Sequence, residues 1–114
     1  MMMYEEFPHT ITFQKFEQIP NGGGGFKKDW VDAITDCEAF VDSLTGKEYY
    51  QAQQLENPVE YNVYFPYRED VKNDMRIIWK DRNDRVLVIQ SPPIDQGGQG
   101  QILCFKCRSG ENIR

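Results

Sequence analysis

Histidine is nearly absent from this 114-residue chain, His9 being the only one. A histidine-based triad therefore has no second base to draw on, and His9 itself stands beside Pro8 at the head of a strand-like stretch. Cysteine is scarce and odd in number, three in all, which excludes an even disulfide framework and favours reduced thiols in a cytoplasmic setting. No apolar run comes near the ~18 residues of a membrane span; the longest clean one is Val86-Leu87-Val88-Ile89. The opening Met1-Met2-Met3-Tyr4-Glu5-Glu6 has neither a basic n-region nor an apolar h-region, so the expectation is a soluble, unsecreted protein with no membrane contact. A basic excess is also lacking. The formal charge is -5 and the pI about 4.8, which argues against a protein that grips nucleic acid by neutralising phosphates. Proximity to DNA without adhesion remains compatible with that charge.

What the chain does contain is alternation. Around Ile11 and Phe13 apolar and polar residues take turns, the period of a half-buried strand. Asn21-Gly22-Gly23-Gly24-Gly25 breaks the pattern, and four successive glycines predict a flexible tip. The strand signal resumes over residues 30–41, with acids interleaved among Val31, Ala33, Cys37, Ala39 and Val41. The clearest alternation is Val59, Tyr61, Val63 and Phe65, ended by Pro66. Residues 75–80 and 85–90 flank the polar turn Asp81-Arg82-Asn83-Asp84 and predict a hairpin. The Pro- and Gly-rich stretch 91–100 reads as loop, and residues 101–108 as a last strand. One domain spanning residues 1–114 is expected: all-β, a small antiparallel β-barrel of about six strands with one short inserted helix or loop. A chain of this length buries roughly 65% of its unfolded surface and needs no staples.

The insert is the exception to the strand pattern. Lys47-Glu48-Tyr49-Tyr50-Gln51-Ala52-Gln53-Gln54-Leu55 holds no Gly or Pro, and Asn57-Pro58 supplies a stop. Such a helix is about 14 Å long, too short to be stable alone, and its polar residues leave no wide apolar stripe. Tyr49 and Tyr50 either pack back on the barrel or meet a partner, since tyrosine gives contact area at little entropic cost.

The other constellations are weak. Cys104-Phe105-Lys106-Cys107 is a CxxC, but residues i and i+3 of a strand point to opposite faces, so a zinc site completed by Cys37 and His9 is disfavoured. A redox role wants the first thiol at a helix N-terminus, and this pair sits in a strand. The glycine run is followed by Phe26-Lys27-Lys28-Asp29 and not by the Gly-Lys-Ser/Thr of a phosphate loop. Trp30, Tyr61, Phe65, Trp79 and Phe105 read as core. No enzyme activity and no cofactor are expected.

Several segments occur in a telling order: Glu5-Glu6-Phe7, Ile11-Thr12-Phe13-Gln14, the glycine tip followed by Trp30-Val31-Asp32, Glu48-Tyr49-Tyr50-Gln51-Ala52-Gln53-Gln54-Leu55, Tyr61-Asn62-Val63-Tyr64 and Met75-Arg76-Ile77-Ile78-Trp79. Together they resemble the head completion proteins of long-tailed bacteriophages, also called head closure, stopper or head-tail joining proteins, of the Bacillus phage and prophage type. The likeness runs from Tyr4 to Ile89 and is looser over residues 91–100 and the CxxC strand. It implies a virion protein made in the bacterial host cytoplasm, assembled as a homo-oligomeric, dodecameric ring below the portal and its adaptor protein. Such a ring closes the channel after packaging, offers a surface to the tail completion protein, and lets double-stranded DNA pass without sequence-specific binding. The plug of that family maps here onto residues 42–57, with Gly46, Lys47, Glu48, Tyr49, Tyr50, Gln51, Gln53 and Gln54 as plug and hinge residues. The competing class is a small-barrel binding module of the bacterial cytoplasm, for nucleic acid or protein, using Tyr64, Tyr67 and Arg68 as a stacking and charge surface.

Overall fold

A computed structural model of the chain describes residues 7–44 and 59–110. Seven strands occupy them: β1 (His9–Pro20), β2 (Phe26–Ser43), β3 (Tyr61–Pro66), β4 (Arg76–Trp79), β5 (Arg85–Ile89), β6 (Ile94–Gln96) and β7 (Ile102–Ser109). A 3-10 turn, Lys80–Arg82, separates β4 from β5.

Every pairing is antiparallel, and the order β3-β2-β1-β4-β5-β7 closes on itself because β3 also pairs β7. The result is a barrel-like ring of hydrogen-bonded strands, which leaves few open edges. β7 makes the closure. One of its edges runs along β3 from Ile102 to Cys107, while the other is shared between β6, at Ile102 to Cys104, and β5, at Cys107 to Ser109. The β5 register continues past β7 through Gly110, whose N–H donates to the Val86 carbonyl at 2.8 Å. A Cβ there would stand 2.7 Å from Val88 Cγ2, which accounts for the glycine.

The alternating residues line the inside. Ile11, Phe13, Ala39, Val41, Val63, Phe65, Ile77, Leu87, Leu103, Phe105 and Cys107 form one buried cluster. At its centre Phe13 lies edge-on to Phe65, with centroids 5.2 Å apart, and to Phe105, at 6.3 Å. These are the spacings at which aromatic edges and faces attract.

β2 is long and bent. Ile11 pairs Cys37, Phe13 pairs Ile34 and Gln14 pairs Asp32, so β2 carries extra residues at two places. Asp36, at φ 54°, sits in one of these bulges, a left-handed conformation that Asp tolerates better than most residues. The bulges set Ile34 against the core and leave Ala33 exposed.

Two expectations are corrected here. Trp30 is not core: β4 accompanies β1 only over Ile11 to Gln14, and β3 accompanies β2 only over Phe40 to Ser43. Residues 15–20 and 26–31 therefore form a two-stranded arm beyond the barrel, and Trp30 lies on it, paired with Phe16. At the glycine tip Asn21 makes three hydrogen bonds across the turn. Asn21 Oδ1 accepts from Gly23 N–H at 2.8 Å and Gly25 N–H at 3.2 Å, and Asn21 N–H donates to the Gly25 carbonyl at 3.1 Å. β6 is also an addition to the sequence expectation of a plain loop over residues 91–100.

Candidate functional site

The insert is tied off at its root. The last ladder pair of β2 and β3 is Ser43 with Tyr61, and just beyond it Leu44 N–H donates to the Glu60 carbonyl at 3.1 Å. Glu60 N–H in turn donates to the Cys107 carbonyl at 2.8 Å, and its carboxylate accepts from Ser109 N–H at 2.6 Å. Residues 45–58 thus leave and rejoin the barrel at neighbouring backbone positions. The candidate plug and hinge residues Gly46, Lys47, Glu48, Tyr49, Tyr50, Gln51, Gln53 and Gln54, and the expected helix itself, lie outside the described residues.

An aromatic cluster stands beside this root. His9 stacks on Phe40 with the rings 6° from parallel, Phe40 stacks on Tyr64, and His9 and Tyr61 each meet Trp79 edge-on. His9 also finishes a ladder. The β1–β2 register begins at His9 with Ala39, so the buried Val41 has no β1 backbone partner and instead donates its N–H to His9 Nδ1 at 3.0 Å. A nitrogen that accepts carries no proton, so the imidazole holds its proton on Nε2. His9→Phe keeps the stacking but strands the Val41 N–H. It should destabilise the fold by about 1–3 kcal/mol, read as a lower urea midpoint at unchanged slope.

The second feature is the arm. Phe16 packs on Trp30 with centroids 5.1 Å apart, and the Arg76 guanidinium sits 4.6 Å over the Trp30 ring, an attraction between a cation and a π face. Arg76 Nε donates to Gln14 Oε1 and Gln14 Nε2 donates to Asp32 Oδ1, both at 2.8 Å. This relay across β4, β1 and β2 anchors the arm's base. Below it opens a groove of about 790 Å³ lined by Lys15, Phe16, Trp30, Lys72 and Met75. Phe16 is 53% exposed and Phe26, paired with Pro20 near the tip, 63%. The sequence did carry a signal for this pair, in aromatic residues set on either side of the glycine run.

A smaller hollow of about 410 Å³ opens on the barrel wall between Asp36, Glu38, Pro66, Tyr67 and Arg68. Arg68 grips Asp70 with two donors, Nε to Oδ1 at 2.7 Å and Nη2 to Oδ2 at 3.1 Å. That fork holds the Asp70 carboxyl below the usual range. Arg68, the cation of the alternative stacking surface, is therefore already engaged, while Tyr64 stacks on Phe40.

The CxxC separates as strand geometry requires. Cys107 belongs to the core cluster, whereas Cys104 is buried outside it, paired with Ile94 of β6. Burial pushes the Cys104 thiol up to about 11 and the Cys107 thiol further. Both are poor nucleophiles.

The fold is a closed, all-β, barrel-like body with an outlying aromatic arm and an insert tied off at its root. The chain belongs to the phage head completion protein family, whose model matches residues 2–110. It is 39% identical over 104 residues to head completion protein gp16 of Bacillus phage SPP1, a match covering 91% of this chain and 92% of the relative. The fold is similar to the solution structure of protein SF1141 from Shigella flexneri 2a, with a TM-score of 0.74 at 23% identity, over 98% of this chain and all of that one.

Proposed function

We propose that this protein is a structural part of the head-tail joint of a phage particle, made in the host cell and carried in the virion. It assembles as a ring of identical copies between the portal with its adaptor and the tail completion protein. The insert, through Gly46, Lys47, Glu48, Tyr49, Tyr50, Gln51, Gln53 and Gln54, closes the DNA channel after packaging. Family membership supports the joining role.

The observation that carries the plug is the root of the insert. With Leu44 and Glu60 bonded directly to each other, the barrel keeps its register whatever residues 45–58 do. Shortening a surface loop changes closure entropy by only about 0.6 kcal/mol per halving. In a ring each copy brings the same segment to the axis, so contacts that are weak singly add through repetition and still open one at a time. Gly46, with Ser43 and Thr45 beside it, serves as one hinge and Asn57-Pro58 as the other. Net acidity suits a channel wall that DNA must pass without sticking.

Deleting residues 46–54 tests this. The variant should melt within a few degrees of the parent and still join heads, while filled heads release their DNA. A folded variant whose heads retain DNA would reject these residues as the plug.

A further inference from the structure

We infer that the ring is held together by the arm: the Phe26 end of the β1–β2 arm of one copy seats in the Tyr67 hollow of the next. The inference rests on the ring reading above and adds the contact that builds it. Three large apolar side chains are exposed among the described residues, and they divide between the two surfaces, Phe16 and Phe26 on the arm and Tyr67 in the hollow. At the end of the arm charge divides the same way, the arm's acids Glu17 and Asp29 lying further back, opposite each other in the ladder. Residues 18–28 hold Lys27 and Lys28 and no acid, and neither lysine makes an ion pair among the described residues. The hollow presents Asp36 and Glu38, with Glu69 next to Tyr67, and its one cation, Arg68, is balanced by Asp70.

A single copy cannot join its own two surfaces. Phe26 and Asp36 lie on the same strand, ten residues apart by number, and at ~3.3 Å per residue that is about 30 Å. Because arm and hollow are different patches of one chain, their contact is heterologous and passes from copy to copy until the rotation closes. Matched charges at its rim set register and speed encounter more than they add affinity.

The test uses the full chain on tailless heads carrying portal and adaptor, with bound copies per head counted by quantitative gel. Lys27→Glu with Lys28→Glu, and separately Glu38→Lys with Glu69→Lys, should each lower that number at least tenfold. All four positions are exposed, so circular dichroism and Tm should stay unchanged. Combining the four substitutions should restore binding. A second readout is Phe26→Cys with Tyr67→Cys, which on oxidation should give a ladder of linked copies on heads, the native thiols being buried. If the lysine variant loads at parental copy number, or the combination fails to restore loading, or no ladder forms on loaded heads, the arm contact is overturned and the ring stands. If the parent loads as one copy per head, both readings fall.

Discussion

Phe13→Ala should lower stability by about 3–5 kcal/mol, the cost of removing a ring from a core that cannot collapse around the gap. Phe13, Phe65 and Phe105 are fully buried and come from β1, β3 and β7, with all three centroid distances between 5.2 and 6.3 Å. β1 is separated from β3 by β2 and from β7 by β4 and β5, while β3 and β7 are neighbours, so the triad braces the ring across its inside. For a domain whose total stability is about 5–15 kcal/mol, a loss of this size lowers Tm by roughly 15 °C or more. Phe16→Ala is the matched control. The same residue type three places on lies outside the barrel and half in water, and its removal should cost under about 1 kcal/mol. Urea midpoints of the two variants give the comparison. Equal losses would mean that the closed core is drawn wrongly.

That contrast also marks what the sequence could say. Period-2 alternation found β1, β3, β4, β5 and β7 to within a few residues, because each has one face in the core, and burial on one face is what alternation records. It could not say where the third strand stops. Whether Trp30 is core depends on how far β4 runs beside β1, a tertiary fact with no trace in residues 26–31 themselves. The bulges were equally hidden. Ala33 looked apolar and inward by parity, and only the two register shifts put Ile34 in its place. β6 was missed since three residues between Pro93 and Gly97 carry no periodic signal. It is held by its surroundings, with Asp95 accepting from Gly98 N–H through its carbonyl and from Gly100 N–H through its carboxylate.

The candidate site divides along the same line. The insert stood out because its composition breaks the pattern, and the structure adds the Leu44–Glu60 bond at its root. The arm was legible only as two aromatics around a glycine run. Its meaning needs the barrel, which shows that nothing of the same chain covers Phe26 among the described residues. The arm lies beyond the closed core, so a change at its exposed end should cost the fold little.

Alkaline pH should unfold this protein through its thiols. A thiol is neutral when protonated, and burial disfavours the thiolate, so Cys104 and Cys107 hold their protons in the fold at pH values where an unfolded chain has released them. Above the ordinary thiol value of 9.0 the unfolded state binds fewer protons than the folded one, and stability must fall as pH rises. The thiol contribution is intact below about pH 9, fades for Cys104 as pH passes about 11, and continues to fall beyond that for the deeper Cys107. At pH 10.5, some 1.5 units past the unfolded value, each thiol costs about 2 kcal/mol relative to pH 8, and the pair about 4 kcal/mol. Tyrosine and lysine also titrate in this range, so the thiol share is isolated by comparison with Cys104→Ala combined with Cys107→Ala. Those substitutions leave small cavities whose cost is the same at both pH values and cancels in the difference. Urea unfolding at pH 8 and 10.5 should therefore show an alkaline loss about 4 kcal/mol smaller in the double variant. Equal losses in both proteins would place the two thiols in contact with water, against their burial in the fold.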